Sequence, residues 1–100
     1  MKTGTRKTKS GTLFPIGALV FSKGVDQLVR EGRLDPMPYV RRHACGDWGA
    51  GDDFVWQANN AAVRTGERLD SFYLVASGLQ ILIITNAERS STRVQLHGED

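Results

Sequence analysis

The stretch RLDSFYLVASGLQILIIT, residues 68–85, decides how this chain folds. Upstream of it, apolar residues recur at helical spacing; from Arg68 the period drops to two. Leu69, Ser71, Tyr73 and Val75 alternate with Asp70, Phe72, Leu74 and Ala76, so apolar groups lie on both faces of a strand. Ser77-Gly78 supplies a hairpin turn. Leu79 to Thr85 is the most apolar segment of the chain and reads as a central strand. Two such strands joined by a tight turn predict an antiparallel sheet as the frame.

Working outward, Asn86 to Ser91 is a polar turn, and Thr92, Val94 and Leu96 alternate with Arg93, Gln95 and His97 in a half-exposed last strand. That strand, or the first, offers an edge for pairing in a homodimer, against which Arg93 and Gln95 stand as charged and polar guards. Toward the N-terminus, Ala18 to Phe21 reads as a first strand bounded by glycines. Ser22 is an N-cap for a helix whose Val25, Leu28 and Val29 share one face, closed by Gly32. Asp35 and Pro36 read as N-cap and first residue of a second helix, with Met37, Val40 and Ala44 on its apolar face and Gly46 at its end. Asp52 or Asp53 caps a third helix, in which Phe54, Ala58, Ala61 and Ala62 form the predicted buried stripe, and Gly66 closes it. The order β-α-α-α-β-β-β predicts an α+β domain: an antiparallel sheet of three to four strands with two to three helices on one face.

One hundred residues make one domain with one core and no room for a deep cofactor site. Four of the 13 basic residues lie in the first ten, Lys7 and Lys9 among them, with no acid beside them. Residues 1–12 therefore read as a disordered basic tail and 13–98 as the domain, whose body is slightly acidic. The one cysteine, Cys45, permits no internal disulfide, which fits a reducing cytoplasm. The apolar run LFPIGALVF, residues 13–21, is broken by Pro15 and Gly17, and residues 81–84 are far too few to span a bilayer. These features exclude a membrane span and predict a cytoplasmic protein, monomer or homodimer.

HACGDWG, residues 43–49, followed by Asn59, Gly66 and then ITNAERSST, residues 84–92, resembles a small bacterial family often carried on plasmids and other mobile elements. Its two blocks read H-x-x-GDWG and I-T-E-A-D-R-S-x-T-x-x-L-x-P, and the likeness spans about Ile16 to Leu96. Here Asn86 stands for the first Glu, Glu88 for the Asp, Val55-Trp56 for an Asp-Arg pair, and the L-x-P ending is Leu96-His97-Gly98. The resemblance implies a fold and a mobile-element context, and no reaction.

His43, Cys45, Asp47 and His97 lack the paired ligand spacing of a structural metal site, so no metal or cofactor is implied. Cys45 at a helix C-terminus feels the wrong end of the dipole for a nucleophile. No phosphate-loop pattern is present, and Asp47, Asp52 and Asp53 oppose a phosphate. His43 and Asp47 read either as an acid–base pair or, with better support, as a structural clasp in which the carboxylate fixes the imidazole while Trp48 packs over the third helix. Arg89 either sits in a solvated turn or folds over to meet Asp47 or Asp53. In the latter case His43, Asp47, Trp48, Glu88, Arg89 and Thr92 make one surface patch of hot-spot type for a protein partner.

The leading expectation is thus a non-enzymatic accessory protein of a mobile element that binds a macromolecule and, on its size and context, inhibits a host defence system of anti-restriction or anti-CRISPR type. The alternative is a DNA- or RNA-binding factor using Lys7, Lys9, Arg41 and Arg42. A weaker one is a small hydrolase or nuclease using His43 and Asp47.

Overall fold

The computed structural model describes residues 11–99. Lys7 and Lys9 lie outside them, as does most of the basic tail. The elements run β1 (Ala18–Phe21), α1 (Lys23–Arg30), α2 (Met37–Ala44), α3 (Asp53–Thr65), β2 (Leu69–Ala76), β3 (Leu79–Thr85) and β4 (Ser91–Leu96). This is the expected order, in an α+β architecture.

The sheet is mixed rather than purely antiparallel, in the order β1-β4-β3-β2. β2, β3 and β4 are antiparallel neighbours, with Leu69 opposite Thr85 and Ile83 opposite Val94. β1 returns alongside β4 in parallel, Leu19 opposite Thr92. The expectation of β4 as an edge is therefore corrected: β1 takes that place and β4 is interior. Local alternation specifies which side of a strand is buried but not which remote strand joins it.

All three helices cover one face of the sheet. Its inward residues are Leu19, Phe21, Thr92, Val94, Ile81, Ile83, Thr85, Leu69, Ser71 and Tyr73, in rows fixed by the pairing register. Val25, Leu34 and Val40 pack on Tyr73, Ile81, Ile83 and Val94 in one cluster, and Phe14, Trp48, Ala62 and Leu69 form a second. Among the described residues no helix covers the opposite face, and its Phe72, Leu74, Leu82, Ile84 and Val20 belong to neither cluster.

Helix ends follow local chemistry. Ser22 accepts from the Val25 N–H, Asp52 from the Val55 N–H, and Gly66 closes α3 in the left-handed region at φ 82°. α2 begins one residue later than expected: Pro36 is the cap, and Asp35 accepts from the Met37 N–H. Glu99 was not anticipated. It accepts from Ser22 Oγ (2.6 Å), Gly24 N–H (2.8 Å) and Leu96 N–H (2.9 Å), tying the chain's end to the positive end of α1, so the folded unit extends past residue 98.

The apolar stripe expected on α3 is also corrected. Asn59 and Ala62 are buried, with Trp56 and Val63 packed beside them, while Phe54 is 80% exposed and Ala58 exposed. Asn59 faces inward because its amide serves the β2 edge: Nδ2–H donates to the Asp70 carbonyl (2.7 Å) and Oδ1 accepts from the Asp70 N–H (3.1 Å). A polar side chain satisfied this way is as much an inward residue as a leucine.

Candidate functional site

His43 lies in the last turn of α2, and its ring is fully buried between the helix and the sheet. Both ring nitrogens meet hydroxyls, Nδ1 that of Ser71 and Nε2 that of Thr85 at 2.9 Å. Thr85 Oγ1 lies 2.7 Å from Thr92 Oγ1, which in turn lies 2.7 Å from the Ile16 carbonyl. A carbonyl only accepts, and each hydroxyl has one proton, so the chain has a direction. Thr92 donates to Ile16, Thr85 to Thr92, His43 Nε2–H to Thr85, and Ser71 to Nδ1. The imidazole is the neutral Nε2–H tautomer. Burial pushes its pKa down to about 4, and the Arg89 guanidinium adds to that.

The corner after α2 turns on Gly46 and Gly49, both at positive φ. Gly49 lies against β2: the Ala50 N–H donates to the Phe72 carbonyl (2.6 Å), and the Phe72 N–H to the Trp48 carbonyl (3.1 Å). A Cβ built on Gly49 would overlap the Phe72 carbonyl. Gly49→Ala is therefore expected to cost at least about 2 kcal/mol through left-handed backbone strain and displacement of the corner, read by urea denaturation; a change within about 0.5 kcal/mol, as at an ordinary surface position, would refute the close approach.

Trp48 is fully buried. It stacks on Phe14 at 6.2 Å, meets the His43 ring edge-on at 5.6 Å, and donates Nε1–H to Asn60 (2.9 Å). Its expected packing over α3 is thus found. The His43–Asp47 clasp is not. Asp47 accepts from Arg42 Nε (2.7 Å) and from the Gly49 N–H, while its carbonyl accepts from the Tyr73 hydroxyl. Arg42 holds the Asp47 carboxyl below its ordinary range. His43 points from α2 into the sheet, whereas Asp47, three residues past the helix end, turns to Arg42, and the hydroxyls set the tautomer that the carboxylate was expected to set.

Arg89, the one described non-glycine residue at positive φ (60°), donates to the carbonyls of Glu67 (2.7 Å), Ala62 (2.9 Å) and Asn86 (3.1 Å). It binds the Ala62 carbonyl in the last turn of α3 and the Glu67 carbonyl just beyond it, where a cation suits the helix dipole, and it lies over the Phe14 ring. Its expected pairing with Asp47 or Asp53 is not made.

The tryptophan corner and the Arg89 turn do converge, with Phe14 between them. Yet His43, Trp48 and Thr92 are completely buried, so the expected surface patch is an interior junction, with Glu88 alone fully exposed at its margin. The residues that sequence reading missed here are Ser71 and Thr85 as His43's partners, the role of Thr92 behind Thr85, and Phe14 as the hub. Polar residues at inward positions of three neighbouring strands were the available signal.

Of the arginine pair, Arg42 is committed to Asp47 and lies over the Tyr73 and Tyr39 rings (4.8 and 5.8 Å). Arg41 is exposed beside an apolar cavity of about 290 Å³ between Phe14, Ile16, Met37 and Val40. Among the described residues no group of three or more His, Cys, Asp or Glu is placed to hold a metal ion, and no helix is long and apolar enough to cross a membrane.

No described helix covers the other face of the sheet. Val20, Ile84, Leu82, Phe72 and Leu74 run across it, Leu74 at 60% exposure. His97 packs over Phe72 at 5.4 Å, and Arg93 stands between Val20 and Ile84. Comparison with known protein families, curated proteins and solved structures found no match to this chain.

Proposed function

We propose that this domain is a non-enzymatic accessory protein that captures a protein partner on the bare face of its sheet. The observation that carries the reading is the apolar row of Ile84, Leu82, Phe72 and Leu74, with Val20 beyond Arg93, which no described helix covers while the other face holds both core clusters. Contiguous exposed apolar surface of this kind marks interaction sites. Arg93 within this row and the Arg68–Asp70 pair (3.1 Å) at its edge fit a partner with an apolar centre and an acidic group facing Arg93. The sequence resemblance adds a mobile-element setting, in which the partner belongs to a host defence system. Against a hydrolase stand a histidine without solvent access and a carboxylate held by Arg42. Against nucleic acid as first choice stand the commitment of Arg42 to Asp47 and the predominance of the aliphatic Val20, Leu74, Leu82 and Ile84 on the face over its one aromatic pair, Phe72 and His97.

Leu74→Asp and Ile84→Asp test the reading. Leu74 packs in neither core cluster, so Leu74→Asp is expected to leave stability within about 1 kcal/mol while abolishing recovery of a partner that the wild type retains from nuclease-treated bacterial lysate. Retention of that partner by both variants would overturn the proposal. Binding that disappears with nuclease treatment, or falls steeply with salt, would assign the face to nucleic acid instead.

A further inference from the structure

We propose that two copies of this chain associate through the outward face of α3, packed antiparallel about a two-fold axis. This surface is separate from the bare sheet face and independent of the reading above.

α3 is apolar on two sides. Trp56, Asn59, Ala62 and Val63 face the core, whereas Phe54, Ala58 and Ala61, at i, i+4 and i+7, form a second stripe on the other side. Phe54 is 80% exposed and Ala58 exposed, with Thr65 continuing the row. Exposing a phenylalanine to this extent on a helix with a complete inward face has no role in the monomer's packing.

The stripe is complementary to itself. It has one large knob, Phe54, near the helix N-terminus and a shallow alanine floor, Ala58 and Ala61, toward the C-terminus. A two-fold axis near Ala58 lays each Phe54 over the alanine floor of the second copy, since in an isologous contact residue i meets j and j meets i. Alanines also allow the helix axes the close approach of about 8–10 Å that packed helices adopt.

Charge supports the same direction. Asp53 and Arg64 lie on one flank of the stripe at its two ends, about 16 Å apart along the axis. Both are exposed, and neither forms an ion pair among the described residues. Antiparallel packing sets Asp53 of each copy against Arg64 of the other, twice, and opposes the helix dipoles favourably. Parallel two-fold packing puts the charged flanks of the two copies on opposite sides of the contact and makes neither pair. Three turns per copy bury less than the ~1,200 Å² of a stable specific interface, so the dimer is weak and concentration-dependent.

The test is sedimentation equilibrium of the full chain across a wide concentration range. The weight-average mass is expected to rise toward twice the monomer mass for the wild type. Phe54→Ala is expected to weaken association at least tenfold with an unchanged circular dichroism spectrum and melting temperature. Asp53→Arg and Arg64→Asp are each expected to weaken it, and the double reversal to restore it. A wild type that stays monomeric throughout, a Phe54→Ala variant that associates equally, or a double reversal no better than either single one would overturn the proposal. So would a dimer lost in Leu74→Asp and kept in Phe54→Ala, which would place the contact on the sheet.

Discussion

Trp48→Ala is expected to destabilise the domain by about 3–5 kcal/mol, a large part of the 5–15 kcal/mol that holds a typical domain together. The indole is fully buried, stacks on Phe14 with an interplanar angle of 14°, and packs with Ala62 and Leu69, so truncation opens a void where α2, α3 and β2 meet. Trp48→Phe keeps a ring and loses the Nε1–H bond to Asn60, a smaller change of about 1 kcal/mol. Chemical denaturation of both variants checks the order. A Trp48→Ala cost below that of Trp48→Phe would show that the ring is not part of the core. The consequence for function is direct. A binding assay on Trp48→Ala reports unfolding, not a lost contact, so variants of the bare sheet face are the ones that interrogate binding.

The same residue shows what the sequence carries and where it stops. GDWG announces a tight corner, because only glycine suits positive φ and close backbone approach, and that reading survives at Gly46 and Gly49. The hairpin of β2 and β3 was legible for a similar reason: alternation and a Ser-Gly turn are local signals. The pairing of β1 with β4 was not, since both partners read as ordinary strands and nothing local names the neighbour. α3 misled because it has two stripes of equal period, and the outward one, Phe54-Ala58-Ala61, is the more apolar. Asn59 made the inward one look polar. At His43, proximity in sequence pointed to Asp47, whereas the true partners lie 28 and 42 residues away. Their inward parity on the strands was readable in advance; their meeting at one imidazole needed the sheet register.

That meeting sets the second large effect: stability is expected to fall by about 3 kcal/mol as pH drops from about 6.5 to about 4. The folded domain holds His43 neutral, with a pKa lowered from 6.5 to about 4 by burial and then by Arg89. Between those values the unfolded chain binds a proton that the folded chain does not, so lowering pH favours unfolding. Below about 4 both states are protonated and this contribution is fully lost. The carboxylates act lower. Asp47, held by Arg42, and Glu99, held first by Ser22, have lowered pKa values, so their contributions are present above their ordinary pKa values of 3.8 and 4.5 and fade only as pH falls below them. The segment from pH 6.5 to 5 therefore isolates the histidine. Protonation there also breaks the chain's direction: Nδ1 becomes a donor, Ser71 must turn, and the cation faces Arg89 without a counter-charge. Urea melts at half-unit pH intervals should show the slope in the wild type. His43→Gln keeps an amide acceptor and donor but has no proton to gain, so it should be less stable at pH 7 and nearly flat between 6.5 and 5. A wild type equally stable at pH 7 and 5, or a His43→Gln variant with the wild-type slope, would mean that the imidazole is not the buried neutral link joining α2 to three strands and the Ile16 carbonyl.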